Sequence, residues 1–375
     1  MLGIKVLDFS MGIAGPQAGM LCALQGGDVV KVESPDGDWA RAVGRQYGDL
    51  TAYAMVCNRG KRSLVVDLKD PAARQTVIGL AAKADVIVEA FRPGVMQRFG
   101  LDYASVAAVN PNVVYLSISG FGASGPLVDA PATDAVLQAF SGFMYCNKGS
   151  DGEPRRLDLF IIDLVTGLYA YQAIAGCLLE IARTGKGGRH IECSLLNAAL
   201  ALQAGKLVEQ HLERSDQAYY VPLGVYQTRD GHVSLSVRRD DQFAQMCEAI
   251  GRLDLMSCGL YSENAQRIAR KTELEDILRA EFRKLSTERL SAILTRVDIL
   301  HSRVNTHAEM LAHPQVEAAC VVDWIRQDGI DALLPVARVP GTGRGVRELQ
   351  APHIGQHSQA VLEDWGGGAA DEPSD

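Results

Sequence analysis

Apolar and polar positions along the first 200 residues follow two rhythms. Short runs rich in Val, Ile and Leu read as strands: KVLDFS (5–10), DVVKVES, RSLVVDL (62–68), DVIVEAF (85–91) and VVYLSISG (113–120). Runs this short and β-branched are typical of strands buried on both faces of a parallel sheet. Helical stretches lie between them. GPQAGMLCALQGG has Pro16 in its first turn and Gly26 at its end, and Asp70 is placed to cap a helix opening at Pro71. This alternation predicts an α/β sheet covered by helices.

The texture changes near residue 190. RHIECSL reads as a further strand and SLLNAALALQAGKLVEQHLER as one long helix. GVYQTRDGHVSLSV (224–237) sets two β-rich arms around Arg229-Asp230-Gly231, a hairpin signal. Charged helical segments follow to about residue 298. The expected organisation is a large domain over 1–214, a smaller α+β domain over 215–325, and a C-terminal segment over 326–375. The last ten residues are expected to be disordered.

Composition narrows the partners. A chain of 375 residues exceeds the usual single core, which agrees with two domains. A net charge of −8 argues against nucleic acid or an anionic membrane surface as a partner. An anionic ligand must therefore be met by local basic clusters. No signal peptide is read at the start, and eight scattered cysteines without a CxxC pair fit reduced thiols in the cytoplasm. In the apolar stretch 159–188, Asp163, Gln172 and Glu180 interrupt the run, so no membrane span is expected.

The chemical motifs are few. GFGASG (120–125) satisfies G-x-G-x-x-G after a strand, but Pro126 follows and no helix can open before about Thr133. A dinucleotide site needs the helix at the loop, so the glycines read instead as the rim of some site. TGKGG (184–188) reads as a helix C-terminal turn, no G-x-S-x-G elbow occurs, and the histidines lack metal-ligand spacing. NRGKRS (58–63) and FRPGVMQRFG (91–100) read singly as solvated basic faces. Brought together on adjacent strand ends, they would make a polyphosphate site. Asp163, near the start of an apolar helix, has two readings. It can be the N-cap, or a carboxylate nucleophile that apolar neighbours sharpen and the helix N-terminus keeps ionised; the two can coexist.

Eight segments, taken in order, resemble the class III CoA-transferases, the family of formyl-CoA transferase, carnitine CoA-transferase and α-methylacyl-CoA racemase. They are KVLDFSMGIAGP, GGDVVKVESPDGD, NRGKRSLVVDLKDP, ADVIVEAFRPGVMQRFGLDY, NPNVVYLSISGFGASGP, IIDLVTGLYA with RTGKGG, YQTRDGHVSLSV and VNTHAEMLAHPQV. The resemblance implies a Rossmann-like large domain completed by the C-terminal tail, a smaller α+β domain, and two chains interlocked as a homodimer. It implies a CoA thioester as substrate, a small carboxylic acid as acceptor, and no permanently bound cofactor or metal. Asp163 falls on the family's catalytic aspartate, which passes through a mixed anhydride and an aspartyl-CoA thioester. CoA-binding positions fall on Ile13, Ala14, Leu68, Lys69, Phe91, Arg92 and Arg98, and Thr133 with Asp134 falls beside the thioester.

Several positions depart from the family pattern. The racemases resemble His-Asp where Thr133-Asp134 stands here, and threonine cannot be an α-proton base. That leaves racemisation as the alternative and CoA transfer as the expectation. Ile13 stands where oxalate-using formyl-CoA transferases carry a glutamine, and SDQAYYVPLGVY replaces their Gly-rich shielding loop. Ser34 and Ala90 replace an arginine and an asparagine common at the CoA site. Arg41, Arg45, Arg238 and Arg239 are the candidates for binding a second carboxylate of the acceptor.

Overall fold

The computed structural model describes residues 1–149, 151–213, 218–341 and 349–366. Of the last ten residues, expected to be disordered, Gly366 ends a helix and the others lie outside the described residues. The chain forms two compact units, 1–208 with 321–375, and 209–320.

The large unit is built on six parallel strands: β1 (Lys5–Asp8), β2 (Asp28–Glu33), β3 (Arg62–Val65), β4 (Val86–Glu89), β5 (Val114–Ser119) and β6 (Arg189–Ser194). Their spatial order is β3-β2-β1-β4-β5-β6. The period of two sorts their side chains cleanly. Val6, Val29, Val86, Val88, Val114 and Leu116 face one layer of helices, and Leu7, Val30, Leu64, Ile87 and Tyr115 face the other. The C-terminal segment supplies part of that second layer, where Val361 and Trp365 of the helix Ser358–Gly366 are buried. Trp365 Nε1 also donates to Asp28 Oδ2 at 2.7 Å.

In this order the chain turns back between β1 and β4, so the loops after those strands diverge and leave a crevice. Two helices frame it. Ala14–Leu24 follows β1 and is buried on nearly every side. Ile161–Thr184 crosses it, burying Ile162, Gly167, Ala170, Ile174 and Cys177 at helical spacing. A Cβ at Gly167 would lie 2.7 Å from Ala14 O and from Gln17 Cβ, so glycine is what lets the two helices approach. By length and composition this helix could cross a membrane, because its few polar residues are outweighed in the average. Its buried stripe instead belongs to the sheet's core.

Two sequence expectations are corrected here. The stretch 195–213 is not one helix: Leu195–Leu202 ends at Gln203, whose amide donates to Ala199 O and Ser141 Oγ, and Ala204–Glu213 follows. Nor do the two basic runs share a strand end. Lys61 and Arg62 enter the start of β3, whereas Phe91 and Arg92 follow the end of β4. They flank opposite ends of their strands, and β2 and β1 lie between.

The first basic run is structural. Lys61 and Asp8, both fully buried, pair at 2.7 Å, and Lys61 also donates to Pro16 O and Asn58 Oδ1. Arg62 pairs with Asp28 and Asp364. Removing one member of a buried pair strands the other charge, so Lys61→Met is expected to lose about 3–5 kcal/mol of stability. Urea denaturation followed by tryptophan fluorescence measures it, and an unchanged midpoint would count against the pair.

The smaller unit pairs β7 (Leu223–Gln227), β8 (His232–Ser236) and β9 (Leu300–Arg303) antiparallel, with β8 central. The expected hairpin is β7–β8. Tyr226, Val233 and Leu235 pack against Phe243, Leu274, Leu278, Phe282, Leu290 and Leu294 from the surrounding helices.

Candidate active site

Asp163 lies in the first turn of its helix, but it is not the cap. The N-cap position is Phe160, which makes no side-chain cap bond. The free backbone N–H groups of Ile162 and Asp163 donate instead to Asp134 Oδ2, at 2.7 and 3.1 Å. Asp134 comes from the start of the helix Asp134–Phe140, itself capped by Thr133, whose Oγ1 accepts from Val136 N. Gln138 donates to Asp134 Oδ1 at 2.6 Å and is held by Leu157 and Leu159. One carboxylate thus caps the helix and leaves the other free for chemistry.

That arrangement overturns the expectation that the helix N-terminus keeps Asp163 well ionised. Asp163 is 9% exposed, and among the described residues its carboxylate accepts no hydrogen bond. Burial, with the adjacent negative charge of Asp134, raises its pKa to about 7. Both causes oppose ionisation and outweigh the dipole, whose usual contribution is about 0.3–1 kcal/mol. The result is a carboxyl poised near neutrality, a basic nucleophile.

Asp163 opens into a cavity of about 370 Å³ with Ile13, Ala14, Thr133 and Asp134 in its lining, beside Met11, Trp39 and Phe160. Phe160 is steadied by an edge-on contact with Tyr53 at 4.7 Å between ring centres. A second cavity, of about 170 Å³, is lined by Leu68, Lys69, Phe91, Ser34 and Met11. A third, of about 340 Å³, holds Phe91, Arg92, Gly122 and Ala123. Met11 joins the first to the second, Phe91 the second to the third, and Ile118 and Ser119 the third to the first. Together they line the C-terminal edge of the sheet, with Gly120 and Gly122 on the rim as expected. Arg98, at the end of the short helix Val95–Arg98, lines none of the three. The side chains of Lys69, Arg92 and Arg98 have no ion-pair partner among the described residues, so three cations in an acidic protein are left for an anion.

Two loop-holding contacts were invisible in the sequence. Asp38, ion-paired to buried Lys31 at 2.7 Å, accepts from Gly12 N at 2.8 Å, while Lys31 also donates to Ser10 O. Gly12 has φ +84°, and a Cβ there would sit 2.1 Å from the Trp39 ring. Buried Glu89, at the end of β4, accepts from Phe91 N at 2.8 Å. No local pattern announces either contact.

Contrary to expectation, Arg41 is not free for a second carboxylate. It is buried against Glu33, at 2.8 and 2.7 Å, and reaches Asp49, so its charge is spent. Arg45 lies over the Tyr47 ring, Arg239 pairs with Asp241, and Arg238 is exposed.

Comparison with known proteins converges on one group. The profile of CoA-transferase family III matches residues 1–358. The chain is 34% identical to a succinate–glutarate CoA-transferase of Agrobacterium fabrum, over 96% of this chain and 94% of that one. It is 33% identical to a human succinyl-CoA:glutarate CoA-transferase, over 96% and 85%. The crystal structure of a CaiB/BaiF family protein from Brucella suis superposes with a TM-score of 0.87 at 30% identity, covering 97% of this chain and 98% of that one.

Proposed function

This chain belongs to CoA-transferase family III, and we propose that it moves CoA from an acyl-CoA to a small carboxylic acid through covalent intermediates on Asp163. A dicarboxylate is the acceptor we favour, since both relatives described above are named for succinate or its CoA ester and glutarate. The observation that carries the mechanism is a buried, unbonded carboxyl with pKa about 7 facing a largely apolar cavity.

In the proposed reaction the Asp163 carboxylate attacks the donor thioester carbon, and the C–S bond breaks. This leaves a mixed anhydride and CoA thiolate. The thiolate then attacks the aspartyl carbonyl carbon, giving an aspartyl-CoA thioester and releasing the donor as its carboxylate. The acceptor carboxylate attacks that thioester and expels CoA thiolate again. The thiolate finally attacks the acceptor's own carbonyl carbon, forming acceptor acyl-CoA and freeing Asp163. One difficult exchange becomes four easier steps. Ile13 and Ala14 border the thioester, Leu68 and Phe91 offer apolar walls to the nucleotide and pantetheine, and Lys69, Arg92 and Arg98 are assigned to the phosphates. Thr133, whose hydroxyl is used as a cap, cannot serve as one of the two bases that α-proton exchange needs.

The cavity's lining holds no basic side chain, so a distal carboxylate must find its cation elsewhere. We infer an interlocked homodimer as the source. Exposed apolar side chains at Leu168, Tyr169, Leu179, Leu202, Leu207 and Val208 supply the kind of surface a second copy would cover. The eight free thiols support assigning the reaction to the cytoplasm.

Peptide mass spectrometry after mixing with a panel of acyl-CoAs, without acceptor, tests the mechanism. An acyl or CoA adduct on the Asp163 peptide is expected, and none in Asp163→Ala. Deuterium entering the α-carbon from D₂O without an adduct would replace this reading with racemisation.

A further inference from the structure

Away from the cleft at the sheet's edge, the large unit contains another cavity, of about 390 Å³. One wall is the hairpin of β10 (Val322–Gln327) and β11 (Ile330–Ala337), contributing Ile325, Ile330 and Leu334. The other is the helix Ala52–Asn58, contributing Met55 and Val56. Its volume lies within the range of about 300–1,000 Å³ common to small-molecule sites, and its lining is mostly apolar, as theirs is.

One charged side chain breaks that lining. Arg59 is 8% exposed, its Nη2 donates to Ala337 O at 3.4 Å, and its Nε has no acceptor. The other buried cations of the described residues behave differently. Lys31, Lys61, Arg41 and Arg267 each have a carboxylate oxygen at 2.7 Å. Arg59 alone among them has no ion-pair partner. The carboxylate whose charge reaches it, Asp323, is already held by Arg338 through bonds of 2.8 and 2.6 Å. Gln327 cannot help, because its amide is spent on the backbone N and O of Ala351. A buried guanidinium is costly without an anion, and a guanidinium fork is best matched by a planar carboxylate.

We propose that this cavity binds an amphiphilic carboxylate, whose charged end pairs with Arg59 and whose short alkyl or aryl body lies against Met55, Ile325, Ile330 and Leu334. The site is separate from the Asp163 cavity and shares no lining residue with it. Carboxylate and apolar body are both required. An inorganic anion would leave the walls uncovered, and a neutral ligand would leave Arg59 unpaired.

Isothermal titration of the full chain, saturated with CoA, uses sodium octanoate as the probe and octanamide as its uncharged control. Octanoate is expected to saturate one site per chain that octanamide fills at least about tenfold more weakly. Arg59→Gln should weaken octanoate binding by about tenfold or more. Ala332→Trp, at an exposed position of the same wall, should fill the cavity and abolish binding without depending on how the Arg59 variant folds. Two results overturn the proposal: no saturable heat up to about 10 mM octanoate, or binding that Ala332→Trp leaves unchanged. The first includes the case of a cavity covered by a second copy, and the second would mean the acid sits elsewhere, beside Asp163 for instance.

Discussion

Asp163→Asn is expected to lose transferase turnover by about 10³-fold or more and to become more stable at pH 8. The loss follows if the carboxylate is the nucleophile, because an amide cannot form the anhydride. The gain follows from linkage. The folded protein holds the Asp163 carboxyl at about 7, against an ordinary value of 3.8. An acid whose pKa is raised by folding binds its proton more tightly in the native state. Stability from that proton is complete below about pH 4 and drains away as pH rises through about 7. Three pH units correspond to about 4 kcal/mol, an upper bound for what ionised Asp163 costs at pH 8. Asparagine is neutral at every pH and escapes that cost, so the variant's advantage should be large at pH 8 and vanish near pH 4. Urea midpoints of the two proteins at both pH values test this. A variant that is inactive but no more stable at pH 8 would mean that the carboxyl is not strained by its surroundings.

The second large effect concerns the pH dependence of turnover. With a nucleophile of pKa about 7, kcat should rise with pH through neutrality and level off above it, since only the ionised carboxylate attacks. At pH 5.5 the wild-type rate should be roughly thirtyfold below its plateau. Asp134→Asn removes the neighbouring charge while its amide oxygen can still accept from the helix N-terminus. The rising limb should then move to lower pH. It should not reach the range of a free aspartate, because burial, the larger cause, is untouched. A limb that stays in place would assign the shift to burial alone. A limb that moves up would contradict the charge argument.

These effects turn on a contact that no pattern in the chain announces. Asp163 stands in the first turn of an apolar helix, where carboxylates commonly cap. Asp134, twenty-nine residues earlier, takes the bond instead. Local sequence constrains which backbone groups need a partner, but not which distant side chain supplies it. Arg41 shows the same limit. As a letter it is a surface cation; in the fold, Glu33 sits beside it and takes its charge. Asn58 to Ser63 read as a solvated basic face; in the fold, Lys61 is buried against Asp8.

Elements whose signal is local were legible. The six strands are short β-branched runs bounded by polar residues, and each lies where its run stands. Asp70 caps the helix at Pro71, accepting from Ala72 N at 3.0 Å. The helix after the glycine loop begins at Asp134 with Thr133 as its cap, because Pro126 and Pro131 disfavour an earlier start. The break at Gln203 leaves no local signal, since its side chain bonds to Ser141, sixty-two residues away.

By itself, then, the sequence determined the strands, the helix starts that a local cap marks, and, through ordered motif resemblance, the family; it singled out Asp163 as a candidate. These are properties of neighbouring residues or of whole segments, and periodicity and composition record them. The tertiary structure alone decided the order β3-β2-β1-β4-β5-β6, the separation of the two basic runs by two intervening strands, the cap that Asp134 gives the helix of Asp163, and the isolation of Arg59. Those are set by burial and by pairings between residues far apart in the chain, and the free energy of a charge depends on what the fold puts beside it.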